Sequence, residues 1–168
     1  VPKRGDTPID LGHPDLNRAF VAGTGPASLS STVLLCEPGM RATFLALRFL
    51  AAGLKNGERA LLVSTREDRD AIQTICQRED SLRPWCLGPD GSFHKDFRVL
   101  YLHPEFITSG KFTWDLLRLV QGGHGNEGDR PVRRFAFDNI ARLQDRFPLI
   151  QEQKFLVAAL VDMLRYRE

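Results

Sequence analysis

The sequence predicts an α/β fold in which a doubly wound, mainly parallel β-sheet carries helices on both faces. Four short apolar runs are bounded by turn residues, which is typical of buried strands. The runs lack an alternating polar side, so they favour a parallel sheet that is covered on both faces. A longer segment with helical spacing follows each run, and a repeated strand–helix order builds a sheet of this kind.

The composition favours a single folded domain. The chain has 168 residues, of which 42% are hydrophobic and 26% are charged, and these values exclude intrinsic disorder and a disulfide-stabilised miniprotein. We expect residues 1–27 to form a lead-in segment and residues 28–168 to form the α/β core. The net charge of +2 does not by itself indicate a nucleic-acid or membrane partner.

The same features predict a cytoplasmic protein without a membrane partner. The longest apolar runs, such as residues 155–161, are far too short to span a bilayer. Residues 1–6 are polar and do not resemble a secretion signal. The three cysteines are an odd number at unrelated spacings, which predicts reduced thiols.

The first strand is predicted at residues 32–36, a continuous apolar run that contains β-branched side chains. The segment 42–54 that follows has only Thr43 and Arg48 as polar residues. A helix that is apolar almost all round has to be covered on nearly every side. The second strand is predicted at residues 60–63.

A helix is predicted at residues 67–79, with Ser64 or Thr65 as its N-terminal cap and acidic residues near its positive end. The third strand is predicted at residues 97–102 and is followed by a helix at residues 112–120. The polar stretch 83–96, which contains two prolines and two glycines, and the glycine-rich stretch 122–131 are predicted loops.

The fourth strand is predicted to close at residues 135–137, and an amphipathic helix is predicted at residues 149–166. A helix in this position normally leads back into the sheet. The sequence therefore predicts either a minimal four-stranded sheet or an α/β domain that is truncated at its C-terminal end.

The turn after the first strand is the predicted ligand site, because open α/β sheets bind ligands beyond the carboxyl ends of their strands. Residues 36–43 have the length and context of a phosphate-binding loop, G-x-x-x-x-G-K-[ST]. Gly39 and Thr43 fit this pattern, whereas Cys36, Arg41 and Ala42 stand where the first Gly, the second Gly and the Lys would be. The candidate nucleotide-binding residues are Glu37, Pro38, Gly39, Met40, Arg41, Ala42 and Thr43.

Four segments in order resemble the RecA superfamily and, within it, the KaiC-like ATPases. They are the lead-in GHPDLN at 12–17, the loop EPG at 37–39, the strand end LVSTRE at 62–67 and the Walker B-like strand FAFD at 135–138. The resemblance covers residues 9–166. It implies a RecA-like sheet and association with a second copy or a related RecA-like subunit. In an active relative, ATP and Mg²⁺ would be bound at this edge.

The resemblance also assigns roles to residues at the loop and at the strand ends. Thr43 and Asp138 could hold Mg²⁺, and Glu67 could orient the attacking water as the catalytic residue. The family has a Lys at the position of Ala42, and losing its contact with phosphate costs roughly 1.5–3 kcal/mol. Arg66 replaces the first of the two acidic residues that follow the second strand in the family.

We therefore expect a non-catalytic RecA/KaiC-like domain with a degenerate phosphate loop and without a bound cofactor, acting as a regulatory or protein-interaction module. In that case Thr43 starts a helix, Glu67 lies in a helical first turn, and Asp138 caps a helix or forms a turn with Asn139.

Two alternatives stay open at the level of sequence. One is an ATP-binding and ATP-hydrolysing domain in which Arg41 contacts phosphate in place of the missing Lys. The other is a DNA-binding accessory of recombination type, suggested by ancestry and by two groups of arginines. These arginines are Arg130, Arg133, Arg134, Arg165 and Arg167.

Overall fold

A computed structural model of the chain describes residues 8–20, 25–27, 30–37, 41–103, 108, 110–111, 114–115, 118, 131–139 and 141–142. Four helices and three strands are defined within these ranges. Their order is α1 (Pro14–Arg18), α2 (Ala42–Lys55), β1 (Arg59–Ser64), α3 (Arg69–Arg78), α4 (Arg83–Cys86), β2 (Phe97–Tyr101) and β3 (Val132–Asp138).

The three strands form one parallel sheet in the order β2-β1-β3, so the α/β class with a parallel sheet is confirmed. Strand β1 is central, and Leu62 lies opposite Val99 on one side and Ala136 on the other. All six residues of β1 are buried, as the unbroken apolar run predicted for a strand covered on both faces.

Helices α2, α3 and α4 share one hydrophobic core with alternate residues of the strands. On β1 these alternate residues are Ala60 and Leu62, while Leu61 and Val63 point to the opposite face and are also fully buried. The described helices therefore cover one face of the sheet, and helices on the other face stay a prediction.

Helix α2 matches the predicted helix and packs against both β1 and β3. Its residues Leu47, Leu50 and Leu54 are buried because the spacing i, i+3, i+7 places them on one stripe that faces the sheet. The chain turns after the helix at Gly57, whose φ of +75° is a conformation that glycine adopts without a steric cost.

The predicted first strand is wrong for the described structure, because residues 30–37 belong to no strand or helix. Val33, Leu34 and Leu35 are 80%, 48% and 90% exposed. An apolar run becomes a strand only where a neighbouring strand satisfies its backbone hydrogen-bonding groups. Within the described sheet no strand pairs with residues 32–36, so the run stays irregular and its side chains stay in solvent.

Helix α3 begins two residues later than predicted, and its cap is Asp68 rather than Ser64 or Thr65. The Asp68 carboxylate accepts a hydrogen bond from the backbone N–H of Ala71 over 2.8 Å. Ser64 is not available for this role because it ends β1 and accepts hydrogen bonds from the turn that follows.

The polar stretch 83–96 is not a plain loop. It contains the short helix α4 and a bridge between Leu87 and Phe93. Cys86 and Leu87 are buried in the core, and Phe93 packs against it. The prolines and glycines correctly predicted turns in this stretch. The core positions were missed because a helix of one turn is too short to show a repeat of apolar residues.

The lead-in segment is held together by polar contacts around Asp10. Its carboxylate accepts hydrogen bonds from the side chain of Asn17 and from the backbone N–H of Gly12, both over 2.7 Å. The hydrogen bond from Asn17 is the main cause that lowers the pKa of Asp10 below its ordinary value of 3.8. Gly12 has a φ of +74° and lies against the backbone of Arg48, which leaves no room for a β-carbon.

Arg134 is buried rather than part of a basic surface, so this part of the predicted arginine cluster is wrong. Its Nε donates to Glu58 over 2.6 Å, and its Nη1 donates to the carbonyl oxygens of Asp10 and Phe49. Arg133 is exposed and is the extra residue of a β-bulge, because Arg59 pairs with Val132 and Ala60 pairs with Arg134. The remaining arginines of the two groups lie outside the described residues.

Two further helices are described only in part. Residues 110–111, 114–115 and 118 are helical, in agreement with a helix in the predicted region, and residues 141–142 are helical directly after β3. The predicted helix 149–166 lies outside the described residues. None of the helices in the described ranges is long and apolar enough to cross a membrane.

Candidate functional site

The candidate site lies at the carboxyl-terminal edge of the sheet, where β1 and β3 end side by side. Ser64 and Asp138 are register partners at the last position of the two strands. Helix α2 starts at this edge, and Thr43 lies in its first turn. Ligands bind at this edge in open α/β folds, although the strand that was predicted to lead into it, residues 32–36, is not formed in the described structure.

The structure brings the two predicted magnesium ligands together, although they are 95 residues apart in the sequence. The hydroxyl of Thr43 donates a hydrogen bond to Oδ2 of Asp138 over 2.5 Å. Both side chains are buried, with 8% and 5% of their surface exposed. The bond satisfies a carboxylate oxygen that would otherwise be costly to bury.

The backbone of the edge is tied across the two strands by Thr65. Its N–H donates to the carbonyl oxygen of Asp138 over 2.8 Å. Its hydroxyl donates to the carbonyl oxygen of Asn139 over 2.9 Å and accepts from the Asn139 N–H over 3.1 Å. Thr65 is completely buried. These contacts fix where the carboxylate of Asp138 stands relative to α2.

Ser64 shapes the turn that follows β1. Its hydroxyl oxygen accepts hydrogen bonds from the backbone N–H of Arg66 over 3.2 Å and of Glu67 over 2.9 Å. Ser64 and Thr65 were predicted only as possible helix caps and not as residues of the site. Their position in the sequence could have indicated this role. Two consecutive hydroxyl residues stand where a buried strand ends, and the turn there has backbone N–H groups that need hydrogen-bond acceptors.

Glu67, the predicted catalytic residue, is on the same edge but does not join Thr43 and Asp138 in a shared contact. Its carboxylate lies 3.4 Å from Nε of Arg66 and is 34% exposed. In the described part of the chain there is no group of three His, Cys, Asp or Glu side chains that could hold a metal ion. The arrangement offers Mg²⁺ at most the hydroxyl of Thr43 and the carboxylate of Asp138.

The phosphate loop itself is described in part. Glu37 is exposed, while residues 38–40, which include Pro38, Gly39 and Met40, lie outside the described residues. Ala42 is half-buried at the start of α2 and carries no charge. The prediction that Gly39 permits a close approach to phosphate stays a prediction.

The guanidinium of Arg41 contacts two other side chains. Its Nη2 donates to Oε1 of Glu79 over 2.9 Å, and its guanidinium lies 5.0 Å from the centre of the Phe44 ring. A carboxylate and an aromatic face are both favourable partners for a guanidinium. An incoming phosphate would have to replace the ion pair with Glu79, but 72% of the Arg41 side chain is exposed and a surface ion pair is weak, so the alternative in which Arg41 substitutes for the missing Lys stays open.

Asn139, rather than Asp138, caps the helical turn after β3. Its side-chain oxygen accepts a hydrogen bond from the backbone N–H of Arg142 over 3.0 Å. Asp138 was predicted either to hold a metal, to cap this helix or to form a turn with Asn139. In the structure its carboxylate instead accepts a hydrogen bond from the hydroxyl of Thr43.

An open depression of about 420 Å³ lies beside the site, between the first turn of α3 and the end of β2. Two of its lining polar groups are already used, since Asp68 caps α3 and the guanidinium of Arg69 donates to the carbonyl oxygen of Val99 over 2.8 Å. None of the predicted phosphate-loop residues lines it. The lining residues are Asp68, Arg69, Asp70, Val99, Leu100 and Tyr101.

Comparison with known proteins adds no assignment, because no protein-family model and no curated protein matches the chain.

Proposed function

We propose that this chain is a RecA- and KaiC-like, P-loop-derived domain that does not hydrolyse ATP and that acts as a regulatory or protein-interaction module. Its partner would be a second copy or a related RecA-like subunit. The proposal is supported by the parallel sheet, by the meeting of Thr43 and Asp138 at the strand ends, and by the chemistry of the loop between them.

The observation that carries the proposal is the missing Lys at the start of α2. Ala42 stands at the position of the Lys that grips phosphate, and the neighbouring Arg41 is paired with Glu79. Phosphate bound only by backbone N–H groups lacks the charge-assisted contact that a Lys contributes, about 1.5–3 kcal/mol. That is one to two orders of magnitude in affinity.

Thermal unfolding with and without Mg-ATP tests the proposal. A site with a dissociation constant of ~10 µM would add about 2.7 kcal/mol at a hundredfold excess of ligand, which is a rise of about 5–11 °C in Tm for a chain of this size. We expect no rise for the wild-type chain. A rise of this size, or ATP turnover by the purified chain, would contradict the proposal.

A variant that restores the cation sharpens this test. Ala42→Lys places an ammonium at the start of α2, and we expect it to gain stabilisation by Mg-ATP if the loop otherwise keeps its shape. Ala52→Lys is the matched control, since Ala52 is also half-buried but lies near the other end of α2. A gain in both variants would show only non-specific attraction between Lys and the anion.

The second candidate is an ATP-binding domain with an atypical loop. It is favoured by one observation, the 2.5 Å hydrogen bond that places the hydroxyl of Thr43 and the carboxylate of Asp138 together at the strand ends. If this candidate is correct, Asp138→Asn removes a metal ligand, so it should abolish any stabilisation that depends on Mg²⁺ while leaving metal-independent binding of ATP.

A further inference from the structure

Two of the three cysteines meet in the hydrophobic core, away from the candidate site. Cys76 lies on the buried stripe of α3, and Cys86 is the last residue of the short helix α4. Both side chains are completely buried, and both belong to the core cluster that the helices share with the sheet. The arrangement at the strand ends uses neither thiol.

The two thiols contact each other, and both are free in the structure. A hydrogen bond with Cys76 is the main cause that raises the pKa of Cys86 above its ordinary value of 9.0, and burial acts in the same direction. A single buried thiol behaves as a small apolar side chain. Two buried thiols in contact differ from it, because each gives the other a partner for thiol–disulfide exchange.

A short, hydrogen-bonded turn between α3 and α4 brings the two sulfurs together. The backbone N–H groups of Leu82 and Arg83 both donate to the carbonyl oxygen of Glu79, over 2.9 and 3.0 Å. Nε of Arg83 donates to the carbonyl oxygen of Gln77 over 2.8 Å. These bonds join the start of α4 to the end of α3, so the meeting of the thiols follows from the local path of the chain.

We propose that Cys76 and Cys86 form a reversible disulfide that fastens α4 to α3 when the chain meets a low-molecular-weight disulfide as oxidant. The thiolate of one cysteine attacks the small disulfide, breaks its S–S bond and releases one small thiol, which leaves a mixed disulfide on the protein. The other cysteine then attacks the protein sulfur of the mixed disulfide and releases the second small thiol. The two protein thiols lose two electrons and two protons, and one small disulfide is reduced to two thiols.

Burial makes this reaction depend on the opening of α4. Neither sulfur is open to solvent, so the oxidant reaches them only when α4 leaves the core. The helix has four residues, and its Trp85 is 37% exposed, so this opening exposes far less surface than global unfolding does. Once formed, the disulfide closes a loop of about ten residues and opposes the opening. The redox state of the pair therefore sets the stability of this segment.

Thiol counting under native conditions gives the first test. In a Cys36→Ser background the proposed pair holds the only thiols of the chain. After equilibration with glutathione disulfide, we expect neither cysteine to be alkylated when the chain is unfolded in alkylating reagent, and dithiothreitol to restore both thiols. Trypsin should then release peptides 70–78 and 79–95 as one linked species whose mass is two hydrogen atoms below their sum.

Single substitutions in the same background provide the controls. Cys76→Ala and Cys86→Ala each leave one thiol, which can carry glutathione only as a mixed disulfide. A loop of this length raises Tm by about 5–10 °C in a chain of this size when a disulfide closes it. We expect this rise on oxidation of the Cys36→Ser chain and no rise after the same treatment of either control.

Three results would overturn the inference. One is the persistence of both thiols after equilibration of the native chain with glutathione disulfide. Another is a link that joins only separate chains, or that forms only after the chain has been unfolded. The third is a disulfide that does not raise Tm, since such a bond does not fasten α4 to α3. The inference goes beyond the proposed function, and none of these experiments contains ATP, so the melting experiment with Mg-ATP decides the proposed function separately.

Discussion

Arg134 is the buried charge whose removal we expect to lower the free energy of unfolding most, and Arg134→Met is the substitution that tests this. Met keeps an unbranched apolar stem of similar length but removes the guanidinium. The variant loses the ion pair with Glu58 and the hydrogen bonds to the carbonyl oxygens of Phe49 and Asp10, which join β3 to α2 and to the lead-in segment.

The size of the effect follows from the burial of each partner. Breaking a buried ion pair by removing one member typically costs 3–5 kcal/mol. Glu58 keeps 33% of its side chain exposed, so water can partly replace the lost partner and the cost falls toward the lower end. The two carbonyl groups lose a charged donor. We expect a loss of about 3–4 kcal/mol out of a total stability of roughly 5–15 kcal/mol.

Urea unfolding followed by circular dichroism measures this loss as a fall in midpoint at constant m value. The matched control is Arg133→Met, which changes the neighbouring residue on the exposed side of the same strand and should shift stability by less than about 0.5 kcal/mol. Similar losses in the two variants, or a loss below about 1 kcal/mol in Arg134→Met, would refute the account of Arg134 as a buried link between three elements.

Three further changes test other parts of the structure. Thr43→Val leaves the buried carboxylate of Asp138 without its hydrogen-bond donor and should lower the free energy of unfolding in urea by about 1.5–3 kcal/mol. Thr43→Ser is the control because it keeps the hydroxyl. Equal stabilities of the Val and Ser variants would contradict the hydrogen bond. Gly53→Ala places a β-carbon 2.6 Å from the side chain of Arg134 and should destabilise by about 1–3 kcal/mol. The control Gly110→Ala meets no neighbour within 4 Å in a helical turn and should stabilise by up to about 1 kcal/mol, so a stabilising Gly53→Ala would disprove the close approach. Because the pKa of Asp10 is lowered, the stabilisation by its carboxylate is present above about pH 4 and is lost as the pH falls through the folded-state pKa. The stability difference between wild type and Asp10→Asn should therefore be under about 1 kcal/mol at pH 6 and shrink toward pH 3. A difference that grows on acidification would contradict the lowered pKa.

Local patterns in the sequence were sufficient for β1 and α2, whose apolar residues are buried in the core. The apolar run at β1 predicted a strand buried on both faces, and the stripe on α2 predicted a covered helix. The same reasoning gave a strand at residues 32–36, which the described structure does not contain. Composition measures the tendency to be buried, but it carries no information about whether a neighbouring strand is present to pair with.

The sequence marked one pair of residues that the structure brings into contact. Thr43 and Asp138, the predicted magnesium ligands, share a hydrogen bond, whereas the strand that was predicted to lead into the phosphate loop is not formed in the described residues. The partners of Arg41 and Arg134 were not predictable, because each ion pair joins positions that are distant in sequence. The strand period does not assign Arg134 to the core either, because a β-bulge at Arg133 breaks the alternation of β3.

The sheet order has a consequence for how the chain is made. Strand β1 lies between β2 and β3, yet Val132 of β3 follows Ser64 by 68 residues. At a synthesis rate of about 5–20 residues per second, β3 leaves the ribosome roughly 3–14 s after β1. During that interval one edge of a strand with four consecutive apolar residues, 60–63, is without its β3 neighbour, which makes this nascent segment a natural client for chaperones.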